Sequence, residues 1–248
     1  MKSKSLFFSF FIAVLLFQSA CNKYYPVQNI EPAVLKIDST LAWSNAIDVI
    51  VGPYKYRLEK EMGVALAQSE MEMPKAKPES LLGNFLADAI LEELRMNFDE
   101  TIDFCVLNYG GIRLPNLPKG AITKSMVYEL LPFDNFLVAV EMDGNLIEEF
   151  FSHFAKKGGW PISKEVKFTI NATDTSANRI FIHKEELEYD KKYKVLIPDY
   201  IANGGDSCEM LKTLEQQNSG LYLRDALISY LKRNETISSQ IENRIIVK

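Results

Sequence analysis

The stretch Asn108-Tyr109-Gly110-Gly111-Ile112-Arg113 holds residue types from which a sugar or anion site can be built. The adjacent glycines Gly110 and Gly111 let the main chain turn sharply or lie against a ligand. Arg113 follows with a planar, permanently charged fork suited to phosphate or ribose oxygens. The preceding run Ile102-Asp103-Phe104-Cys105-Val106-Leu107 is β-branched and aromatic and reads as a buried strand. A strand, a Gly-rich turn and then a polar group is how many α/β sites are assembled at strand ends. A glycine pair also makes ordinary turns, so by itself the stretch leaves both readings open. Two later stretches, Pro132-Phe133-Asp134-Asn135 and Asn203-Gly204-Gly205-Asp206, add weight to the first.

The elements that must position these stretches alternate between helix and strand. Leu41 to about Leu66 has helical periodicity and places Ile47, Ile50, Val51, Tyr54, Leu58 and Met62 on one broad face, with Pro53 as a kink or break. Gln68 to Lys77 reads as a loop or an edge strand. A helix then follows Pro78, with Leu82, Phe85, Leu86, Ala89, Ile90 and Leu94 on its apolar face. Gly120 to Thr123 reads as a short strand or turn, and Thr123 as the N-cap of a helix through Leu130 that Pro132 stops. Phe136 to Met142 is a strand, Asp143-Gly144 a hairpin-like turn, and Asn145 to Lys157 a helix ended by Gly158-Gly159. Strands follow over Glu165–Asn171, Asn178–His183 and Lys191–Pro198, the last with Tyr193, Val195 and Ile197 on one face. A helix over Leu221–Lys232 and a strand over Arg244–Val247 close the chain. The pattern indicates an α/β (α+β) fold, with mixed sheets flanked by helices.

Composition sets the limits. The chain has 248 residues, 47% hydrophobic and 25% charged, which suits a globular protein of one or two domains. Its formal charge is −5. An acidic balance argues against binding a nucleic-acid polymer, while leaving room for a local basic pocket that takes a single nucleotide. At the N-terminus, Lys2 and Lys4 precede the apolar run Leu6 to Phe17 and then Gln18-Ser19-Ala20-Cys21. A basic start, a short apolar core and small residues make a secretory signal, and the run is too short for an ordinary membrane span. Cys21 after Ser-Ala resembles the lipobox of bacterial lipoproteins, although Phe17 and Gln18 depart from its strict form. The resemblance implies a diacylated Cys21 and a chain anchored by lipid in the bacterial cell envelope, in the periplasm or on the outer surface. Soluble secretion is the alternative. The expected organisation is a signal peptide over 1–21, a tether over 22–45 and a folded domain over 46–248. Cys105 reads as a core residue, and a disulfide to Cys208 is not expected.

Four stretches in order resemble the C-terminal, substrate-binding domain of the 5′-nucleotidases, the group that includes UDP-sugar hydrolases and 2′,3′-cyclic phosphodiesterases. They are Glu79-Ser80-Leu81-Leu82-Gly83-Asn84-Phe85-Leu86-Ala87-Asp88-Ala89, Leu107 to Arg113, Leu131-Pro132-Phe133-Asp134-Asn135, and Pro198-Asp199-Tyr200-Ile201-Ala202-Asn203-Gly204-Gly205-Asp206. The resemblance covers roughly Ala46 to Lys248 and implies a layered α/β/β/α arrangement. It implies that a nucleobase is held between Phe133 and Tyr200, since base–aromatic stacking tolerates different bases and is worth about 1–3 kcal/mol per base. By residue type alone, both rings read more readily as core. The resemblance further implies that Asn108 and Asn135 bond the base edge or ribose, an amide being both donor and acceptor. Asp206 would accept from ribose hydroxyls, Arg113 would face the sugar–phosphate end, and Gly204 and Gly205 would serve the turn before Asp206. Three features depart from the family pattern. Lys77-Pro78 stands where an arginine is common. Tyr109 replaces a third glycine and is expected to narrow or cover the pocket. Trp160-Pro161-Ile162-Ser163-Lys164-Glu165 replaces a glycine-rich turn. Recognition of the nucleoside is therefore better supported than tight binding of phosphate.

Full-length relatives carry a metallophosphatase domain with two metal ions. This chain has two histidines, His153 and His183, and no Asp-x-His or Gly-Asn-His-like cluster, so no credible dinuclear ligand set is expected in it. No cofactor is expected here, and divalent metals are expected only in a partner metallophosphatase. The expected function is the nucleotide-recognition half of a split 5′-nucleotidase, itself inactive. One alternative is a stand-alone lipoprotein that captures nucleosides or nucleotides for uptake. Another is a relic domain kept for protein contacts.

Overall fold

The computed structural model describes residues 45–98 and 101–248. The signal segment, Cys21 and nearly all of the expected tether lie outside them. In chain order the helices are α1 (Asn45–Met62), α2 (Leu81–Asn97), α3 (Lys124–Leu130), α4 (Gly144–Ala155), the single turn α5 (Asp199–Ala202) and α6 (Leu223–Arg233). The strands are β1 (Ala65–Ser69), β2 (Met73–Pro74), β3 (Phe104–Cys105), β4 (Asn116–Leu117), β5 (Gly120–Thr123), β6 (Phe136–Asp143), β7 (Val166–Ile170), β8 (Ala177–Ile182), β9 (Glu185–Glu186), β10 (Lys192–Pro198), β11 (Gln216–Tyr222), β12 (Thr236–Ile237) and β13 (Ile245–Val247).

A mixed four-stranded sheet in the order β11-β6-β10-β3 lies between two apolar cores. Side chains alternate across a strand, so its long strands feed both cores. Leu137 and Ala139 of β6 and Leu196 of β10 join the first core with α2, α3 and α6. Val138, Val140 and Met142 of β6 and Tyr193, Val195 and Ile197 of β10 join the second. The second core is completed by Ile147, Phe150, Phe151 and Phe154 of α4 and by the sheet β13-β7-β8-β9. A third sheet, β12-β1-β5, lies beside the first core, and β2 pairs with β4. Ile47–Lys248 forms one compact unit.

The expected helix starts are met by side-chain caps. Ser80 accepts from the Gly83 amide at the start of α2, and Thr123 accepts from Met126 at the start of α3. Three expectations need correction. Asp143-Gly144 is not a hairpin turn: Asp143 caps α4 by accepting from the Leu146 amide, so β6 runs straight into the helix. Gln68 and Ser69 belong to β1, which is the middle strand of its sheet rather than an edge. The helix expected to run to about Leu66 ends at Met62, with Ala65 and Leu66 in β1, and its apolar face is uncovered: no residue of α1 is buried, and Ile47, Ile50, Val51, Tyr54 and Leu58 are all exposed. Periodicity reports that a helix has an apolar face but not whether anything covers it. Strand β11 had no sequence signal, because Gln216-Gln217-Asn218-Ser219-Gly220 is polar and its pairing to β6 is long-range.

Candidate functional site

Strand direction brings the three sequence stretches to one edge. Strand β3 is parallel to β10, with Phe104 opposite Val195 and Cys105 opposite Leu196. The C-terminal ends of both therefore point the same way, one delivering Asn108 and the other Tyr200. Strand β6 is antiparallel to β10, with Leu137 opposite Pro198, so its N-terminal end reaches that same edge with Phe133 and Asn135 just before it. The carboxyl ends of strands are where open α/β sheets place ligands. Residues Trp160 to Ser163 line the far side of the Phe104–Leu107 run. Leu107 N–H donates to the Pro161 carbonyl at 2.9 Å, and the Ser163 hydroxyl accepts from Cys105 N–H at 3.0 Å. In this chain the segment that replaces the glycine-rich turn thus serves the sheet that presents Asn108. Cys105 and Cys208 are both buried and unpaired, and burial pushes the Cys208 thiol up to about 12.

A cavity of about 310 Å³ opens at this edge, lined by Asn108, Gly110, Gly111, Arg113, Phe133, Asn135, Tyr200 and Asp206. That is near the small end of ligand pockets, which run to about 300–1,000 Å³. A second hollow shares Asn135 and Tyr200 and is bordered by Gly204 and Gly205. All ten residues expected at the site are therefore gathered in one place. The core reading of the two rings does not hold, since Phe133 is 46% and Tyr200 45% exposed.

Asp206 is the most heavily held residue of the site. Its carboxylate accepts from Asn108 Nδ2 at 3.0 Å and from the Tyr200 hydroxyl at 3.4 Å. Its own N–H donates to the Tyr200 oxygen at 3.2 Å. Its carbonyl accepts from His153 Nε2 at 2.9 Å and from the Lys157 ammonium. These contacts hold Asp206 at φ +51°, a left-handed conformation that Asp tolerates better than most residues. Asn108 is only 5% exposed and spends its amide N–H on Asp206, so it orients that carboxylate. Its Oδ1 lies so close to Gly111 that a Cβ there would come within 2.8 Å of it. The turn before Asp206 needs its glycines too. Gly204 has φ +87°, and a Cβ on Gly205 would lie 2.5 Å from a Tyr200 ring carbon. Gly205 is thus the surface on which the Tyr200 ring rests.

Tyr109 does not cover the cavity. Its ring packs against the second core, with the Lys75 ammonium 3.8 Å and the Lys77 ammonium 4.5 Å from its centroid. Lys75 also donates to the Ile112 carbonyl at 2.6 Å. The Arg113 guanidinium lies 5.9 Å from the Phe133 centroid and donates to the Gly110 carbonyl at 3.4 Å. Burial first, and then the charges of Arg113 and Lys77, hold the Lys75 ammonium below its ordinary pKa. Among the described residues no carboxylate forms an ion pair with Lys75, Lys77 or Arg113. The sequence singled out Lys77 but missed Lys75, His153 and Lys157 as neighbours of the site. Lys75 reaches it only because β2 pairs with β4, setting Met73 opposite Leu117. Among the described residues, no group of three or more His, Cys, Asp or Glu side chains is placed to hold a metal ion.

Residues 60–213 match the family model for the 5′-nucleotidase C-terminal domain. Rat 5′-nucleotidase is 27% identical over 241 residues, an alignment that covers 84% of this chain and 41% of the relative. The Vibrio parahaemolyticus 5′-nucleotidase is 24% identical over 193 residues, covering 75% of this chain and 33% of the relative. The solved 5′-nucleotidase precursor of Thermus thermophilus superposes with a TM-score of 0.72 at 24% identity, over 81% of this chain and 42% of that one. The Haemophilus influenzae NAD nucleotidase superposes with a TM-score of 0.62 at 17% identity, over 83% and 42%. The chain thus spans less than half the length of these relatives, and the structural likenesses show a shared fold. On the family model and the order of its motifs, this chain belongs to the 5′-nucleotidase C-terminal domain family.

Proposed function

We propose that this chain recognises the nucleoside part of a nucleotide by stacking its base on Phe133 and Tyr200, for hydrolysis of the phosphate ester by a separate metallophosphatase chain. The observation that carries this reading is the exposure of both rings on one cavity that also holds an amide, a carboxylate and a guanidinium. A ring left half-exposed in a pocket gains from a flat aromatic ligand what core packing has not supplied. Asn135 offers a donor and an acceptor to a base edge, and Asp206 an acceptor to ribose hydroxyls. Arg113, Lys75 and Lys77 supply positive charge near the Gly110–Arg113 turn, where phosphate would be held. Arg113 lines the cavity, with the Lys75 ammonium bonded to the neighbouring Ile112 carbonyl, and this charge favours a nucleotide over a free nucleoside. A bound divalent metal polarises the phosphoryl oxygen and activates water. The described residues do not fit such an ion, so that chemistry is assigned to the partner. Shared membrane anchoring would raise the effective concentration of the two chains.

Calorimetry on the chain without its first 21 residues tests the reading. AMP is expected to bind about tenfold more tightly than adenosine, as a charge-assisted phosphate contact would give. Arg113→Met should erase most of that difference while leaving adenosine affinity nearly unchanged. Tighter binding of adenosine would favour a capture protein for uptake, and binding of neither would remove the site assignment. The chain alone should not hydrolyse AMP with added divalent metal, whereas the partner chain should restore turnover. Efficient hydrolysis by the chain alone would overturn the two-chain reading.

Anchoring at Cys21 is part of the same proposal and rests on the lipobox-like sequence. Expressed in a bacterium fed labelled palmitate, the full chain should carry label and sediment with membranes. Cys21→Ser should lose both properties, and retention of both would refute anchoring at Cys21.

A further inference from the structure

Beneath the loop that carries Phe133 lies Arg224, the second residue of α6, buried and outside every sequence motif that pointed to the site. Its guanidinium reaches the loop at three points. Nη1 donates to the Pro132 carbonyl at 3.3 Å and to the Leu131 carbonyl at 3.5 Å, and Nη2 donates to Asp134 Oδ1 at 2.5 Å. The face of the fork lies 4.3 Å from the centroid of Tyr128 on α3. Next to it, Leu223 N–H donates to the Asn135 carbonyl at 2.9 Å. The loop is thus tied at Leu131, Pro132, Asp134 and Asn135. Phe133, between them, takes part in none of these bonds and presents its ring to the cavity.

Burying an arginine is costly unless its donors are met. Here Arg224 Nε is buried without a hydrogen-bond partner, and the side chain is kept in place by the loop contacts and Tyr128. A free loop of five residues would sample many ring positions, and a ligand would have to select among them. We propose that Arg224 is a positioning residue that fixes the Leu131–Asn135 loop and thereby pre-orients the Phe133 ring and the Asn135 amide for the base. This inference rests on the nucleoside reading of the cavity for its functional half, while the bracing of the loop stands on the geometry alone.

Two measurements on the chain without its first 21 residues separate those halves. The first is hydrogen exchange without ligand. Arg224→Met should raise exchange in peptides covering 131–136 and leave α4 unchanged. The second is adenosine affinity. Arg224→Met should weaken it about tenfold, and Arg224→Lys should do nearly the same, because an ammonium keeps the charge but cannot reach three acceptors as a fork. The deciding comparison is the double variant: in a Phe133→Ala background, Arg224→Met should cost clearly less further affinity than it does alone, since the part of its effect that passes through that ring is already lost and only the part through Asn135 remains. A purely structural residue would give additive losses, and that result would overturn the proposal, as would unchanged exchange in the loop. Asp134→Asn, at a side chain 71% exposed, removes one arm of the brace and should raise loop exchange to a smaller degree even if Arg224→Met does not fold. If the wild-type chain binds neither adenosine nor AMP but exchange behaves as expected, the nucleoside reading falls and the brace remains.

Discussion

Tyr200→Ala should lower affinity for adenosine and for AMP by about 10- to 100-fold, the effect of losing one base–aromatic stack. The two ligands should suffer equally, because the ring acts on the part they share. The variant should also fold. Tyr200 is exposed, and replacing an exposed ring leaves no cavity in either core. Tyr200 has a second role, since its hydroxyl bonds both the amide and the carboxylate of Asp206. Tyr200→Phe separates the two roles. It keeps the stacking face and releases Asp206, so a loss of only a few-fold is expected, in line with one modest hydrogen bond of about 1 kcal/mol. Phe133→Ala provides the independent check, because that ring touches Asp206 through no hydrogen bond. Calorimetry gives the affinities and a thermal melt confirms folding. A Tyr200→Ala variant with wild-type affinity for both ligands would show that the cavity does not hold a base between these rings.

Arg244→Met should be the most destabilising single change of those considered, at about 3–5 kcal/mol, the range for breaking a buried ion pair from one side. Arg244 is 2% exposed. Its Nη1 and Nη2 meet the two oxygens of Asp88 at 2.8 and 2.6 Å, its Nε meets Glu242 at 2.9 Å, and Nη1 also donates to the Ile162 carbonyl at 2.8 Å. Burial opposes this charge, but the hydrogen bonds and charges of Asp88 and Glu242 outweigh it and raise the arginine pKa, so the guanidinium stays ionised. Glu79 reinforces the join by accepting from the backbone N–H groups of Glu242 and Arg244, each at 2.9 Å. The network pins the start of β13 to α2 and to the Trp160–Glu165 segment, which supports the strand leading to Asn108. Removing the arginine leaves Asp88 without its cation and Glu242 with only the neighbouring Lys167. At roughly 2–4 °C per kcal/mol for a domain of this size, the melting temperature should drop by about 6–20 °C. Ligand affinity measured well below the transition should be little changed, because no atom of Arg244 lines the cavity. A drop of less than about 2 °C would mean that the surrounding carboxylates find other partners.

Membership of the 5′-nucleotidase C-terminal domain family was legible in the chain, because the motifs carrying it are runs of neighbouring residues whose order and spacing survive as text. So were α2, α3, α4 and β10, whose apolar periods and caps are local. The candidate site was named residue by residue, yet its strands do not explain by themselves why Asn108, Phe133 and Tyr200 should meet. That follows from β3 and β10 running parallel while β6 runs against them, a matter of pairing between residues far apart in sequence. The same holds for what the sequence could not show. Tyr109 looked like a lid, because a bulky residue in a glycine-rich turn leaves no record of which way it points; the second core and two lysines turn it away from the cavity. Lys75 sits thirty-eight positions from Arg113 and reaches the neighbouring Ile112 carbonyl only through β2 and β4. Arg224 and Arg244 resemble any surface arginine in a list of residues. Residue type and short spacing determine which groups are available for chemistry. Which of them are buried, paired or aimed into a cavity is decided by long-range packing, since desolvation and charge pairing depend on neighbours that only the folded chain brings together.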